Sequence, residues 1–248
     1  TRWKKILASV KLNVLLNFRG GIPVFASLYE GKRHDVAALD ELPVQSGSYY
    51  VMDRGYLNLS RLHRLHRGGA FFVTRLKINT AYYVAASRPV AADTDLRCDQ
   101  TIKLNSYVGR RDFPDQLRRI RFADPQTGKV LVFVTNQFAL PALIIVEIYR
   151  RRWAIELFFR WIKQHLRLRG FYSTSCNGVR VQIWSAISAY LLVAIAKGRL
   201  HLSQSLWEIL QIVSIASMEQ IALPELLATI DTSTAHVDIP KQLEINYS

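Results

Sequence analysis

The first third of the chain is written in short apolar runs broken by turn residues, the pattern of strands rather than of long helices. Residues 9–18 (SVKLNVLLNF) and 22–31 (IPVFASLYEG) flank Arg19-Gly20-Gly21, which predicts a hairpin closed by a short turn. Residues 34–42 (HDVAALDEL) predict a short helix, and 47–53 (GSYYVMD) an apolar strand ending in an acid, followed by the loop Arg54-Gly55-Tyr56. Leu59, Leu62 and Leu65 recur every third position ahead of Gly68-Gly69, a helix with a glycine stop. Residues 70–77 (AFFVTRLK) are another buried strand.

That β-β-α-β-α-β order predicts an α/β fold, a mixed sheet with helices packed on it. Residues 79–126 change character: they are polar, contain Pro89, Pro114 and Pro125, and alternate only weakly. They read as a β-rich insertion. A strand at 128–136 (GKVLVFVTN) follows, and then helices over 141–168, 179–197 and 203–218, with a short one at 224–229 and a polar, fraying tail. The longest apolar run, 183–196, has 14 residues and two serines. Roughly 18 are needed to cross a bilayer, so a buried core helix and no membrane association are expected.

Charge narrows the class of partner. The 248 residues carry 33 Lys and Arg against 19 Asp and Glu, a net charge of +14 and a pI near 10, which points to a polyanion. Cys98 and Cys176 have no metal-ligand spacing, and His63 and His66 stand among arginines; a zinc site is excluded and a reducing compartment expected.

Within this basic chain, residues 149–170 hold seven basic residues and a single acid, Glu156. On a continuous helix Tyr149, Arg152, Glu156 and Lys163 fall within an arc of about 60°, bordered by Arg160. Ala154, Leu157, Phe158, Phe159, Trp161 and Ile162 face the other way, toward the sheet. A surface helix would pair Glu156 with Arg160 to ordinary effect. Asp53 changes that reading, because a strand end delivers its side chain to a cleft at the sheet edge. An Asp and a Glu so placed can share a hard divalent cation, with Arg, Lys and Tyr holding phosphates beside it.

The spacing Tyr149-x2-Arg152-x3-Glu156-x6-Lys163 resembles the Y-R-E-K signature of IS4-type insertion-sequence transposases. YVMDRGYLN looks like that family's second-aspartate segment, FFVTRLK like the strand after it, and LFFRWIKQHLRLRGF like its glutamate helix. The resemblance implies an RNase H-like core with a β-rich insertion before the glutamate helix and a helical C-terminal part. It divides the chain into residues 1–78 (core, first part), 79–127 (insertion), 128–170 (core, last strand and glutamate helix) and 171–248 (C-terminal helices).

The same resemblance makes Asp53 and Glu156 the second and third members of a D-D-E triad that binds Mg²⁺ or Mn²⁺. Tyr149, Arg152, Lys163 and Arg160 are then DNA-binding residues. The implied activity is cleavage and strand transfer at the double-stranded DNA of transposon ends and target. A homodimer on paired ends, in the bacterial cytoplasm and at the nucleoid, is implied too. The family's first aspartate lies in a strand before the hairpin, and that strand is expected to be missing here. Asp35 and Asp40 belong to the turn after the hairpin and are expected to cap and solvate it. A non-catalytic DNA-binding remnant is the alternative expectation. Arg118, Arg119 and Arg121 are candidate backbone contacts, and Trp153, Trp161, Trp184 and Trp207 are expected between helices.

Overall fold

A computed structural model describes residues 10–18, 20–30, 34–165 and 175–216. The chain forms two compact units, residues 1–183 and 184–248.

In the first unit, β1 (Val10–Asn17) and β2 (Ile22–Glu30) form an antiparallel hairpin with a two-stranded sheet of their own. Gly20 and Gly21 take φ of +88° and +64°, left-handed values that side-chain-bearing residues resist, which is why the Gly-Gly pair closes this turn. Six further strands make one mixed sheet: β3 (Tyr49–Val51), β4 (Phe71–Arg75), β5 (Tyr82–Arg88), β6 (Leu96–Leu104), β7 (Leu117–Ala123) and β8 (Val130–Thr135). Their order is β3-β4-β8-β7-β6-β5, with β3 and β4 parallel and every other pair antiparallel. The polar stretch therefore supplies strands β5–β7 to the same sheet, joined through the β7–β8 ladder.

The alternation of side chains along the strands makes two apolar faces. One carries Phe72, Val134, Leu117 and Ile102 and is covered by Leu62 and Leu65 of α1 (Leu59–Arg67) and by Phe113, which follows the short α2 (Tyr107–Asp112). The other carries Val73, Phe133, Ile120 and Phe122 under Ile145, Val146 and Tyr149 of α3 (Ala142–Arg150). Phe72 and Phe133 are wholly buried; each contributes about 1.5–3 kcal/mol by leaving water. Helix α1 starts where Asn58 accepts the Arg61 N–H at 3.2 Å and stops at Gly68. Asp40 takes two 2.7 Å bonds from Arg61, and Arg64 donates to the carbonyls of Asp40 and Leu39. These basic side chains fasten α1 to the 3-10 turn Asp35–Asp40 instead of merely solvating it. Asp35 pairs with Lys11 at 3.0 Å.

Three expectations need correction. The helix over 141–168 is two helices, α3 and α4 (Trp153–His165), separated by a bend at Arg151 and Arg152. There the Arg152, Ala154 and Ile155 amides reach back three residues rather than four. Arg118 is buried, so it is no DNA contact. It makes a two-pronged pair with Asp99 at 2.6 and 2.8 Å and donates to the carbonyls of Gln137 and Leu140. Trp153, Trp184 and Trp207 are exposed rather than packed away.

In the second unit, α5 (Cys176–Leu200, which begins in the first) buries Ala186, Ile187, Tyr190, Val193 and Ala194 but exposes Leu192 and Ile195. At 25 residues it is long and apolar enough to cross a membrane by length and composition, although the 14-residue run alone is not. Helix α6 (Leu206–Ala216) buries Ile209. The expected helix at 224–229 and the tail lie outside the described residues, as does the end of the glutamate helix beyond 165.

Candidate active site

The parallel pair β3–β4 brings two strand ends together, and the candidate site starts there. After Val51 the Met52 amide still bonds Val73, and Asp53 then turns the chain into the 3-10 turn Arg54–Tyr56. Asp53 caps that turn: its Oδ1 accepts the Arg54 N–H at 2.6 Å. Arg75, at the end of β4, donates Nη2 to the same oxygen at 3.0 Å, and the Thr74 hydroxyl donates to the Asp53 carbonyl. Burial pushes the Asp53 carboxyl up, but the Arg54 amide, the Arg75 bond and the charge of Arg152 outweigh it and hold the pKa below the ordinary value. Asp53 is therefore an anion at neutral pH.

Glu156 reaches the site from the first turn of α4 and is tied to the bend. Arg152 Nη1 lies 2.7 Å from Glu156 Oε1, and the Arg152 guanidinium stacks 5.7 Å from the Tyr149 ring centre. The same guanidinium acts on the charge of Asp53. Arg152 thus pairs with Glu156 and lines the same cavity as Asp53, on whose charge it acts.

Tyr149 differs from the expected surface tyrosine. Its ring packs 4.8 Å from Phe133 in the core beneath the sheet, and its hydroxyl is buried without a well-formed hydrogen bond. Burial raises its pKa against the opposing charges of Arg75 and Arg152. Arg160 lies 5.7 Å over the ring of Trp153 instead of pairing with Glu156, and Lys163 is exposed one helical stretch further on. Arg152 touches both Tyr149 and Glu156, so these three side chains still follow one another through the turn from α3 into α4. Of the expected apolar face of α4, Phe158 and Ile162 are buried and Leu157 is exposed.

Arg75 is the functional residue that sequence reasoning passed over. The signal was there: an arginine closing a buried strand, next to a strand closing in aspartate.

A cavity of 800 Å³ lies beside these groups, between the hairpin and β3. Leu12, Val14 and Phe25 wall one side, Tyr50 and Met52 the other, and Asp53 and Arg152 stand at its polar end. Among the described residues β3 has no strand on this outer edge. Also among them, no group of three or more His, Cys, Asp or Glu is disposed to hold a metal. A magnesium-type cation takes one or two carboxylates and completes its shell with water and phosphate oxygens, so Asp53 and Glu156 are of the residue type that would hold one.

Comparison with known proteins fits this geometry. The family profile "Transposase DDE domain" matches residues 4–192. A protein of Sinorhizobium fredii named as the transposase y4zB is 33% identical over 77% of this chain and 54% of its own length. One of Geobacillus stearothermophilus, named as the transposase of insertion sequence element IS5377, is 31% identical over 75% of this chain and 49% of its own. A third, named for element IS4SA in Synechocystis, is 28% identical over 77% and 54%. The chain spans about half the length of these relatives. With its mixed sheet flanked by helices and its paired acidic strand and helix ends, the chain belongs to the family of DDE-domain transposases.

Proposed function

We propose that this chain is the catalytic domain of an IS4-type transposase, which cuts DNA at transposon ends and joins the freed strand to target DNA with Mg²⁺ or Mn²⁺. The placement of Asp53 and Arg152 on one cavity, with Glu156 paired to Arg152 at 2.7 Å, carries the reading. The two carboxylates would hold the cation, which when bound supplies charge neutralisation at the phosphoryl oxygens. Arg75 and Arg152, displaced from their carboxylates, would then be free to grip phosphate. Their fork geometry suits that role. Tyr149 offers its buried hydroxyl as a donor, and Lys163 and Arg160 extend the basic surface along α4. The excess of +14 supplies the general attraction for DNA. The reading includes a homodimer on paired ends, at the nucleoid of the bacterial cytoplasm, without membrane association.

The reading also includes a third carboxylate, the first of the triad, on a strand that fills the 800 Å³ gap along the outer edge of β3. The residues around the gap are mostly apolar, with Asn13, Asn17, Gln45 and Ser48 among them and Asp53 as the one carboxylate, which suits a largely apolar strand. Without that strand the site has two carboxylates, both held by arginines. If no such carboxylate joins the site, DNA should be bound but cut weakly, the behaviour of a DNA-binding remnant.

A nicking assay on labelled end DNA with Mg²⁺, run beside a binding assay, tests the proposal. Glu156→Gln should abolish residual cleavage and leave binding intact. Retained cleavage in that variant removes Glu156 from the chemistry, and robust cleavage by the unmodified chain removes the need for a third carboxylate. No DNA binding at low salt would discard the whole reading.

A further inference from the structure

A second cavity, of 240 Å³, opens beside the first site and is lined by Arg54, Arg75, Lys77 and Arg119 with no carboxylate among its lining residues. Its apolar floor comes from Val130 and Val132 of β8, and the Tyr82 ring closes one side. Arg119 lies 5.3 Å over the Tyr82 ring and is steadied by Gln100 Oε1 at 2.7 Å. Arg75 alone of the four has a carboxylate partner among the described residues, Asp53. Four like charges around one small space repel one another, and among the described residues only Asp53, on Arg75, offsets this with a carboxylate. The Nε–H donors of Arg75 and Arg119 are buried and have no acceptor. A buried donor left unpaired costs about 1–3 kcal/mol, more for a charged group, so such sites are kept where an outside acceptor completes them.

We propose that this cavity is a second phosphate seat, which holds a backbone phosphate of the same DNA strand that the Asp53–Glu156 site acts on. Arg75 is shared: one nitrogen faces Asp53 and the guanidinium lines the cavity, so the two seats lie one side chain apart. A phosphodiester suits the pocket better than a carboxylate, because four cations from two strands, a turn and a loop line it. The sugar next to that phosphate would rest on the valine floor. That carries the strand from the candidate active site toward β5, the exposed outer strand of the sheet. The DNA assignment rests on the proposed function; the phosphate assignment rests on the cavity alone.

The test separates the two, using the 248-residue chain. Inorganic pyrophosphate should raise the Tm of the unmodified protein by about 3–6 °C at ten times its dissociation constant. That shift should vanish in Arg119→Gln and in the exposed pair Arg54→Gln/Lys77→Gln, and should survive in Arg119→Lys. Duplex DNA binding followed against salt should lose about 1–2 units of slope in the double variant. Arg110→Gln/Arg111→Gln, on the exposed α2, corrects for charge change alone. An equal pyrophosphate shift in all proteins, no shift in any, or a slope lowered equally by the α2 control overturns the seat. Failure of the unmodified chain to bind DNA overturns the proposed function instead, and the pyrophosphate measurement still decides the seat.

Discussion

Arg152 binds Glu156 across a bend, Nη1 to Oε1 at 2.7 Å, and so holds the helix acid with a side chain from outside that helix. A cation and Arg152 would compete for the same carboxylate. Arg152→Gln should accordingly bind Mn²⁺ roughly three- to tenfold more tightly than the unmodified chain. The same change should weaken DNA binding. Free Mn²⁺ measured by electron paramagnetic resonance reports the first effect, and weaker Mn²⁺ binding in the variant would contradict it.

Asp53 gives a pH signature. Its folded pKa lies below the ordinary 3.8, through the Arg54 amide, Arg75 and Arg152 acting against burial. Its stabilising contribution is therefore full above about 3.8 and fades as pH falls through the lowered folded value. Arg75→Met should move that midpoint upward. The carboxyl is nearly half exposed, so solvent screening keeps the change in stability small. A carbon-detected NMR titration of Asp53 reads the shift, and an unmoved midpoint would break the assigned pairing.

Tyr149→Phe separates structure from positioning. Although the Arg152 guanidinium is close enough to act on it, the hydroxyl is buried and makes no well-formed hydrogen bond. Its removal should leave thermal stability unchanged or slightly raised. Strand cleavage should fall by roughly tenfold or more, the worth of one hydrogen bond to a charged phosphate. Loss of stability together with activity would mean that the residue is core and nothing else.

The buried pair Arg118–Asp99 ties β7 to β6 through two hydrogen bonds, of 2.8 and 2.6 Å. Arg118→Met leaves Asp99 only the 3.3 Å contact with Arg88. The cost should be about 3–5 kcal/mol, read as a fall in the urea midpoint. A neutral effect would mean that Arg88 alone compensates.

Much of this architecture is legible in the sequence because its signals are local. The Gly20-Gly21 turn, the Asn58 cap and the Gly68 stop each act within a few residues, and the strand ending at Asp53 is marked by its own apolar run. Tertiary partners are not so marked. Arg150-Arg151-Arg152 contains no proline or glycine, so nothing in composition announces the bend. The run Leu117-Arg118-Arg119-Ile120-Arg121 reads as a wet strand, yet Arg118 goes inward because Asp99, nineteen positions earlier, waits opposite. The Y-R-E-K spacing assumes one helix, where the structure has two, yet Arg152 still reaches both Tyr149 and Glu156.

The Arg118 clamp has a consequence for inheritance. It grips Asp99 on β6 and, from the same side chain, the carbonyls of Gln137 and Leu140 just before α3. A recombination crossover between residues 123 and 137 would join an arginine from one parent to a loop from another, and both must agree in shape for the hybrid to fold. Lineages related to this chain should therefore trade residues 99–140 as a block, and sequence mosaics among them should show breakpoints outside it.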